Sequence, residues 1–355
     1  MKKMKITVLI TLFLIIVNNN KIQSQENKVF LITLDGLRWQ ELFRGAEWEL
    51  LQDKNYTQDI ERLKNKFWKE SDEERRKALF PFIWDKVEKQ GVIIGNRDKN
   101  SRVNVKNGMH FSYPGYNEII TGKPDDTRIN NNNKVGNPNV SLFEFANQDP
   151  MFKGKIAIFG GWDVFPFIFN EERSKLPVNA GYRHSLSSNP SFLEKFLDKF
   201  QDETPKRWQG VRFDVFTHNY ALETIKKEKP RLVFIGYGET DDFAHDRSYN
   251  HYLESAHVND QMIRELWEYV QSDSYYKDQT TFIITTDHGR GTGEHWKDHY
   301  FAIPGSSETW LILIGNQVHP PLFDKEQYYN DQIAATIAKI LQIDYKPKDV
   351  GSALY

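Results

Sequence analysis

The chain has 355 residues, enough for one large domain or two ordinary ones, and its 39% hydrophobic and 27% charged shares are those of a globular protein. With 47 basic residues against 49 acidic and a formal net charge of -2, the balance gives no support to a nucleic-acid or acidic-polymer partner. The absence of cysteine excludes disulfides and thiolate ligands, so any metal must be held by histidine and carboxylate.

Lys2, Lys3 and Lys5 precede an apolar run over residues 6–17 and then the polar stretch NNNKIQSQ, the form of a secretory signal peptide. The run is short for a membrane span, and no later stretch approaches the roughly 20 apolar residues one needs. Cleavage is expected near Ser24, although Ile22-Gln23-Ser24 meets the small-residue rule only at its last position; an uncleaved anchor is the alternative. Residues 1–24 are thus expected to be a leader. Residues 25–355 are expected to form one exported domain, periplasmic or secreted, without a membrane span.

VFLITL at 29–34 predicts a first strand that delivers Asp35 at its end. Residues 59–79 are densely charged with scattered Leu, Phe and Trp, which predicts a solvated helical insertion. Residues 82–89 look helical and GVIIG at 91–95 a short strand. HFSYPGYNEIIT at 110–121 predicts a helix start, with Ser112 near the N-cap and Pro114 in the first turn. Such a serine is either a cap or a hydroxyl poised over an anion site. The asparagine run 130–133 is a loop, 155–159 a strand, and DVFPFIFN at 163–170 a loop or edge element. Helices are expected over 192–200 and 211–227, then a strand at 231–235, a loop at 236–245 and a long amphipathic helix over 249–270. TFIITTDHG predicts a buried strand ending in Asp287-His288. A late strand at 309–314 and a final helix capped by Asp331 complete the pattern. Strands alternating with helices along the whole length predict one α/β domain around a mostly parallel sheet. In such sheets, ligands bind at the carboxyl ends of the strands.

Several metal-ligating side chains fall just there: Asp35; Asp241 and His245 in ETDDFAH, four apart and so on one face of a helical turn; and Asp287 and His288. His295 and His299 follow in GEHWKDHY. Divalent ions of the zinc type take three or four such N/O ligands, and six or seven ligands imply two ions. Three carboxylates and one serine alkoxide carry four negative charges, which two divalent cations balance.

The ordered motifs LITLDGLR, SYPGYNEIITG, ETDDFAH and TTDHGRG resemble the alkaline phosphatase superfamily, in particular its type I phosphodiesterase/nucleotide pyrophosphatase-like branch. The resemblance spans Asp35 to at least Gly315 and implies an alkaline-phosphatase-like fold, a mostly parallel central sheet with helices on both faces. It implies that Asp35, Ser112, Asp287 and His288 hold one metal and that Asp241, His245 and His299 hold the other, with His295 in reserve; from the ligand types, the two divalent ions are expected to be zinc. It makes Ser112 the nucleophile and places at Asn133 the asparagine that contacts a phosphoryl oxygen. The chain departs from the branch at Ser112, where threonine is commoner, at Gly115, often asparagine, and at Ala244, usually glycine. None of these removes a ligand.

The function expected is hydrolysis of a small phosphate ester, diester or monoester, through a phosphoseryl intermediate. Sulfatase chemistry on this fold needs formylglycine in a C/S-x-P/A-x-R context, and Tyr116 stands where that arginine is required. A metal-containing binding protein without turnover is the third possibility, which the retention of Ser112 opposes. Asp214 and His218 also have the four-residue spacing but lie inside a helix, where a structural role is expected; His251 and His257 fall on the long helix and carry the same expectation. Whether Arg173, Lys175 or Arg183 reaches the site is left open by sequence.

Overall fold

The computed structural model describes residues 26–355; the leader expected over 1–24 lies outside the described residues. Ten strands are present among them: β1 (Lys28–Leu34), β2 (Gly91–Ile94), β3 (Arg102–Asn104), β4 (Ile156–Gly160), β5 (Val178–Ala180), β6 (Leu232–Tyr237), β7 (Thr280–Thr285), β8 (Glu308–Thr309), β9 (Leu311–Gly315) and β10 (Gln327–Tyr329). Seven form one sheet in the order β2-β9-β7-β1-β6-β4-β5; β10, β3 and β8 form a small second sheet. β7, β1, β6, β4 and β5 run parallel; at one edge β9 is antiparallel to β7, and β2 is antiparallel to β9. β1 is buried along its whole length, and its apolar stretch at residues 29–32 is that of a central parallel strand.

Register places the site. Thr33 of β1 lies level with Gly236 of β6 and with Thr285 of β7, and Gly160 of β4 is level with Gly236. The residues two positions further on, Asp35, Gly238, Asp287 and Trp162, therefore leave the sheet together at its carboxyl edge.

Alternation along the strands separates two cores. Phe30, Ile32, Ile235 and Ile284 pack beneath the long Tyr249–Ser272 helix through Leu253, Ala256, Ile263 and Leu266. Val29, Leu31, Phe234 and Ile283 pack against the Ser112–Thr121 and Gln332–Leu341 helices through Tyr116, Ile119, Ile333 and Ile337. The sheet thus has helices on both faces, the α/β architecture expected. No helix of the described residues is long and apolar enough to cross a membrane.

Four local expectations change. Residues 59–79 form two helices, Ile60–Phe67 and Asp72–Leu79, whose Leu63, Phe67 and Leu79 are fully buried, so the segment packs on the core as well as facing solvent. Residues 163–170 contain a helical turn, Phe165–Ile168, in which Pro166 occupies a first-turn position where a missing N–H costs nothing. Residues 236–245, expected as a loop, hold the Glu239–His245 helix. Its N-terminal amides are satisfied from far away: Asp214 accepts from Gly238 N at 2.8 Å and from Glu239 N at 3.3 Å, so no local cap announces it. Asp331 precedes the last helix without capping it, because its carboxylate takes Lys106 Nζ at 2.7 Å.

Candidate metal centre and nucleophile

Ser112 is the first residue of its helix; Phe111 stands at the N-cap, with no side-chain cap. The Ser112 hydroxyl is therefore not spent on capping. It is nearly buried, and its Oγ lies 3.4 Å from His288 Nε2. Close approach of the helix to the strand end makes this possible: a Cβ on Gly115 would come 2.3 Å from the Asp287 carbonyl oxygen. One turn further along, Tyr116 donates its hydroxyl to Asp35 Oδ2 at 2.9 Å. Buried Glu118 accepts the Lys106 and Asn107 amides, both at 2.8 Å, and so anchors the segment leading into the helix.

His288 is the hub. Its Nδ1 pairs with the Gly289 carbonyl at 2.9 Å, which turns Nε2 toward Asp35 Oδ1 at 3.4 Å, Asp287 Oδ2 at 3.5 Å and Asp241 Oδ1 at 3.7 Å. Beside it, His245 Nε2 is 3.2 Å from Asp241 Oδ2 and 3.0 Å from His299 Nε2. His299 is oriented by its Nδ1, which bonds the His110 carbonyl at 3.1 Å. The structure thus gathers Asp35, Ser112, Asp241, His245, Asp287, His288 and His299. His295 faces away, its Nδ1 on Asp298 at the exposed surface.

This donor set fits divalent metal. Ligands about 2.0–2.1 Å from a tetrahedral ion are separated by roughly 3.3 Å, close to the separations seen here. Asp35 Oδ1 and Asp287 Oδ2 are buried and accept no hydrogen bond of good geometry, which is costly for a carboxylate unless a cation meets it. Two overlapping sets of possible ligands result, Asp35 with Asp287 and His288, and Asp241 with His288 and His299.

The electrostatics agree. Burial, then the Asp35 and Asp241 charges, push Asp287 well above the usual carboxylate range, and burial with Asp241 raises Asp35. Burial works against protonated His288, but Asp287 and Asp35 outweigh it and lift the imidazole to about 9. Asp241 differs: burial opposes its charge, yet Arg290, His245 and His299 hold it well below the usual range. Without a metal the cluster recruits protons to offset its buried negative charge, the task a divalent ion would take over.

In the asparagine loop, Asn132 rather than Asn133 reaches the helix: its Oδ1 accepts from Tyr113 N at 3.0 Å. Asn133 is exposed and donates its own amide to Asn131 Oδ1. Counting along the chain finds the loop, but the turn decides which member points back. Arg173 grips Glu144 through Nε and Nη2, and Arg183 grips Glu171. Lys134 pairs with Asp163 at 2.7 Å. Asp214 and His218 are structural, His218 lying between the Tyr237 hydroxyl and Glu265. The contacts of Tyr116 with Asp35 and of Arg290 with Asp241 are not legible in the sequence. Both residues sit inside the quoted motifs, but nothing in spacing says where their side chains end.

A sulfatase family model matches residues 181–343, a stretch that contains Asp241, His245, Asp287, His288 and His299. The lipoteichoic acid synthase LtaP from Listeria monocytogenes superposes with a TM-score of 0.58 at 10% identity, over 94% of this chain and 75% of that one. Wild-type alkaline phosphatase PafA superposes with a TM-score of 0.56 at 8% identity, over 93% of this chain and 98% of that one. These superpositions give the chain an alkaline-phosphatase-like fold, and the sulfatase family match falls within it. The phosphonate monoester hydrolase SpPMH from Silicibacter pomeroyi shares the superfamily's fold with this chain, at a TM-score of 0.56 and 13% identity over 92% and 76% of the two chains. No curated protein matches by sequence. The family match and the shared fold support a hydrolase of the alkaline phosphatase and sulfatase kind, and the two ligand groups are places where metal could bind.

Proposed function

We propose that the protein is an exported two-metal hydrolase of small phosphate esters, of the type I phosphodiesterase kind, with Ser112 as nucleophile. The observation that carries the reading is the 3.4 Å approach of an uncommitted Ser112 hydroxyl to His288, beside two buried carboxylate oxygens without hydrogen-bond partners. Divalent ions, most simply zinc, would lower the serine pKa and neutralise charge on the phosphoryl oxygens. Asp35, Ser112, Asp287 and His288 would hold one, and Asp241, His245 and His299 the other. Ser112 Oγ bonds to phosphorus as the bond to the leaving oxygen breaks. That oxygen leaves with the electron pair and takes a proton from solvent, to which the serine proton is lost. Water then attacks the phosphoserine, restoring the hydroxyl and releasing phosphate or a monoester.

Asn132, whose Oδ1 is engaged by Tyr113 N, has its amide group left to donate to a phosphoryl oxygen. Arg173 and Arg183 are committed to Glu144 and Glu171, and Lys134 to Asp163, so none is a free clamp for a dianionic monoester. This supports a diester. Export rests on the leader-like residues 1–24.

Sulfate-ester hydrolysis is the second reading, favoured by the family match over 181–343. It requires formylglycine at position 112, and Tyr116, hydrogen-bonded to Asp35, stands where the conversion motif has arginine. Rates on p-nitrophenyl phosphate, bis-p-nitrophenyl phosphate and p-nitrophenyl sulfate with added zinc separate the readings. Mass analysis of the peptide containing residue 112 complements them: unmodified serine with diester turnover supports the proposal, and formylglycine with sulfate turnover replaces it.

A further inference from the structure

Arg290 is fully buried at the metal centre yet is not a ligand. Its Nε donates to the Gly36 carbonyl at 3.1 Å and its Nη1 to the Lys297 carbonyl at 2.6 Å. Its Nη2 donates to the Asp241 carbonyl at 3.1 Å and meets Asp241 Oδ1. Gly36 follows Asp35, Lys297 lies two residues before His299, and Arg290 lies two after His288. One guanidinium therefore ties together the four segments that carry Asp35, Asp241, His288 and His299.

Space for it is reserved. Gly36 has φ +57°, and a Cβ there would lie 2.8 Å from Arg290 Nε and 2.7 Å from Asp241 Oδ1. Only glycine allows that turn and that approach together.

We propose that Arg290 is a positioning residue for the second ion: by holding Asp241 Oδ1, it fixes the carboxylate between His245, which is 3.2 Å from Oδ2, and His299, which is 3.6 Å from Oδ1. His245 Nε2 is in turn 3.0 Å from His299 Nε2, so the Asp241 carboxylate and the two imidazoles already lie at about the separations of ligands around a tetrahedral ion. Without Arg290 the carboxylate is free to rotate about its last bond, and the segment bearing Lys297 and His299 loses an anchor. Lysine cannot replace it, because a point charge on a flexible stem does not span carbonyls lying in three directions. Loss of such an outer partner typically weakens metal binding about 10–100-fold. The inference rests on the two-ion reading above, and it assigns Arg290 to one ion and not to the other.

The test is a calorimetric titration of chelator-stripped protein with Zn2+, with bound metal counted by elemental analysis, for wild type, Arg290→Gln, Arg290→Lys and His245→Ala. His245→Ala identifies the isotherm of the second ion. The expected result is two ions in wild type. In both Arg290 variants the tight first ion is retained and the second weakened about 10–100-fold, matching the isotherm lost in His245→Ala. Two ions bound at wild-type affinity by both variants would overturn the role of Arg290 while leaving the two-ion reading intact. A variant pair that binds neither ion would also overturn it, since Arg290 would then serve the whole fold. A wild-type protein that takes only one ion removes the two-ion reading, and the proposal with it.

Discussion

Ser112 Oγ and His288 Nε2 lie 3.4 Å apart although 176 positions separate them in sequence. The contact exists because the Ser112 helix docks against the end of β7, where Gly115 lets the two backbones touch.

Replacing Ser112 by alanine should lower turnover by at least about three orders of magnitude, the usual effect of removing an activated nucleophile. Because Ser112 makes no cap bond, the melting temperature should change little, whereas loss of an N-cap costs about 1 kcal/mol. Steady-state kinetics and thermal melts check both parts. Acid quench of the wild type should trap phosphate on the residue-112 peptide. Turnover above about a tenth of wild type in Ser112→Ala excludes the mechanism.

Asp287→Asn should lose metal and activity while making the metal-free protein more stable than metal-free wild type. The Gly36 amide keeps its acceptor, and the cost of burying the Asp287 carboxylate, or of protonating it at pH 8, is removed, a gain of about 1–3 kcal/mol. Elemental analysis and melting in chelator at pH 8 measure this. Full metal content in the variant sinks the ligand assignment.

Metal-free wild type should lose stability as pH rises. Asp35, Asp287 and His288 all have folded-state pKa values above their unfolded ones, so each binds its proton more tightly when folded. Their stabilisation is present below the unfolded values, about 4 for the carboxylates and about 6.5 for histidine, and is lost as pH climbs through the raised ones, about 9 for His288. Melting temperatures in chelator should fall between pH 6 and pH 9, and added zinc should flatten the curve. A chelated protein whose melting temperature rises over that range contradicts the buried-carboxylate account.

Asn132→Ala should cost at least about tenfold in turnover, through a lost donor to the transition state, and Asn133→Ala should be near neutral. The pair is a direct comparison, since only Asn132 bonds the Ser112 helix. Equal losses in the two variants would contradict this choice.

Gly115→Ala should impair both folding and catalysis, because the added Cβ would sit 2.3 Å from backbone that cannot yield. Overpacking of this kind costs about 1–3 kcal/mol, and displacement of Ser112 adds a rate loss of about a hundredfold. Normal activity at wild-type stability would show that the helix can slide.

Chain order and chemical type were enough to identify β1 with Asp35, β7 with Asp287-His288, and the four-residue spacing of Asp241 and His245. These signals are local: an apolar run needs a buried strand, and a polar residue that stops it must leave the sheet. Sequence also named His299 and His295 together but could not rank them by geometry, nor say which asparagine of 130–133 faces the helix. The tertiary structure separates them, turning His299 inward on the His110 carbonyl and seating Asn132 on Tyr113. It alone shows that the Glu239–His245 helix is capped by Asp214, 24 residues before Gly238, and that Arg290 lies on Asp241. The physical reason is the same in each case. Residue type and spacing decide which strand or helix a side chain belongs to, but its final hydrogen bond depends on strand register and helix docking between segments far apart in the chain, and no local pattern encodes that.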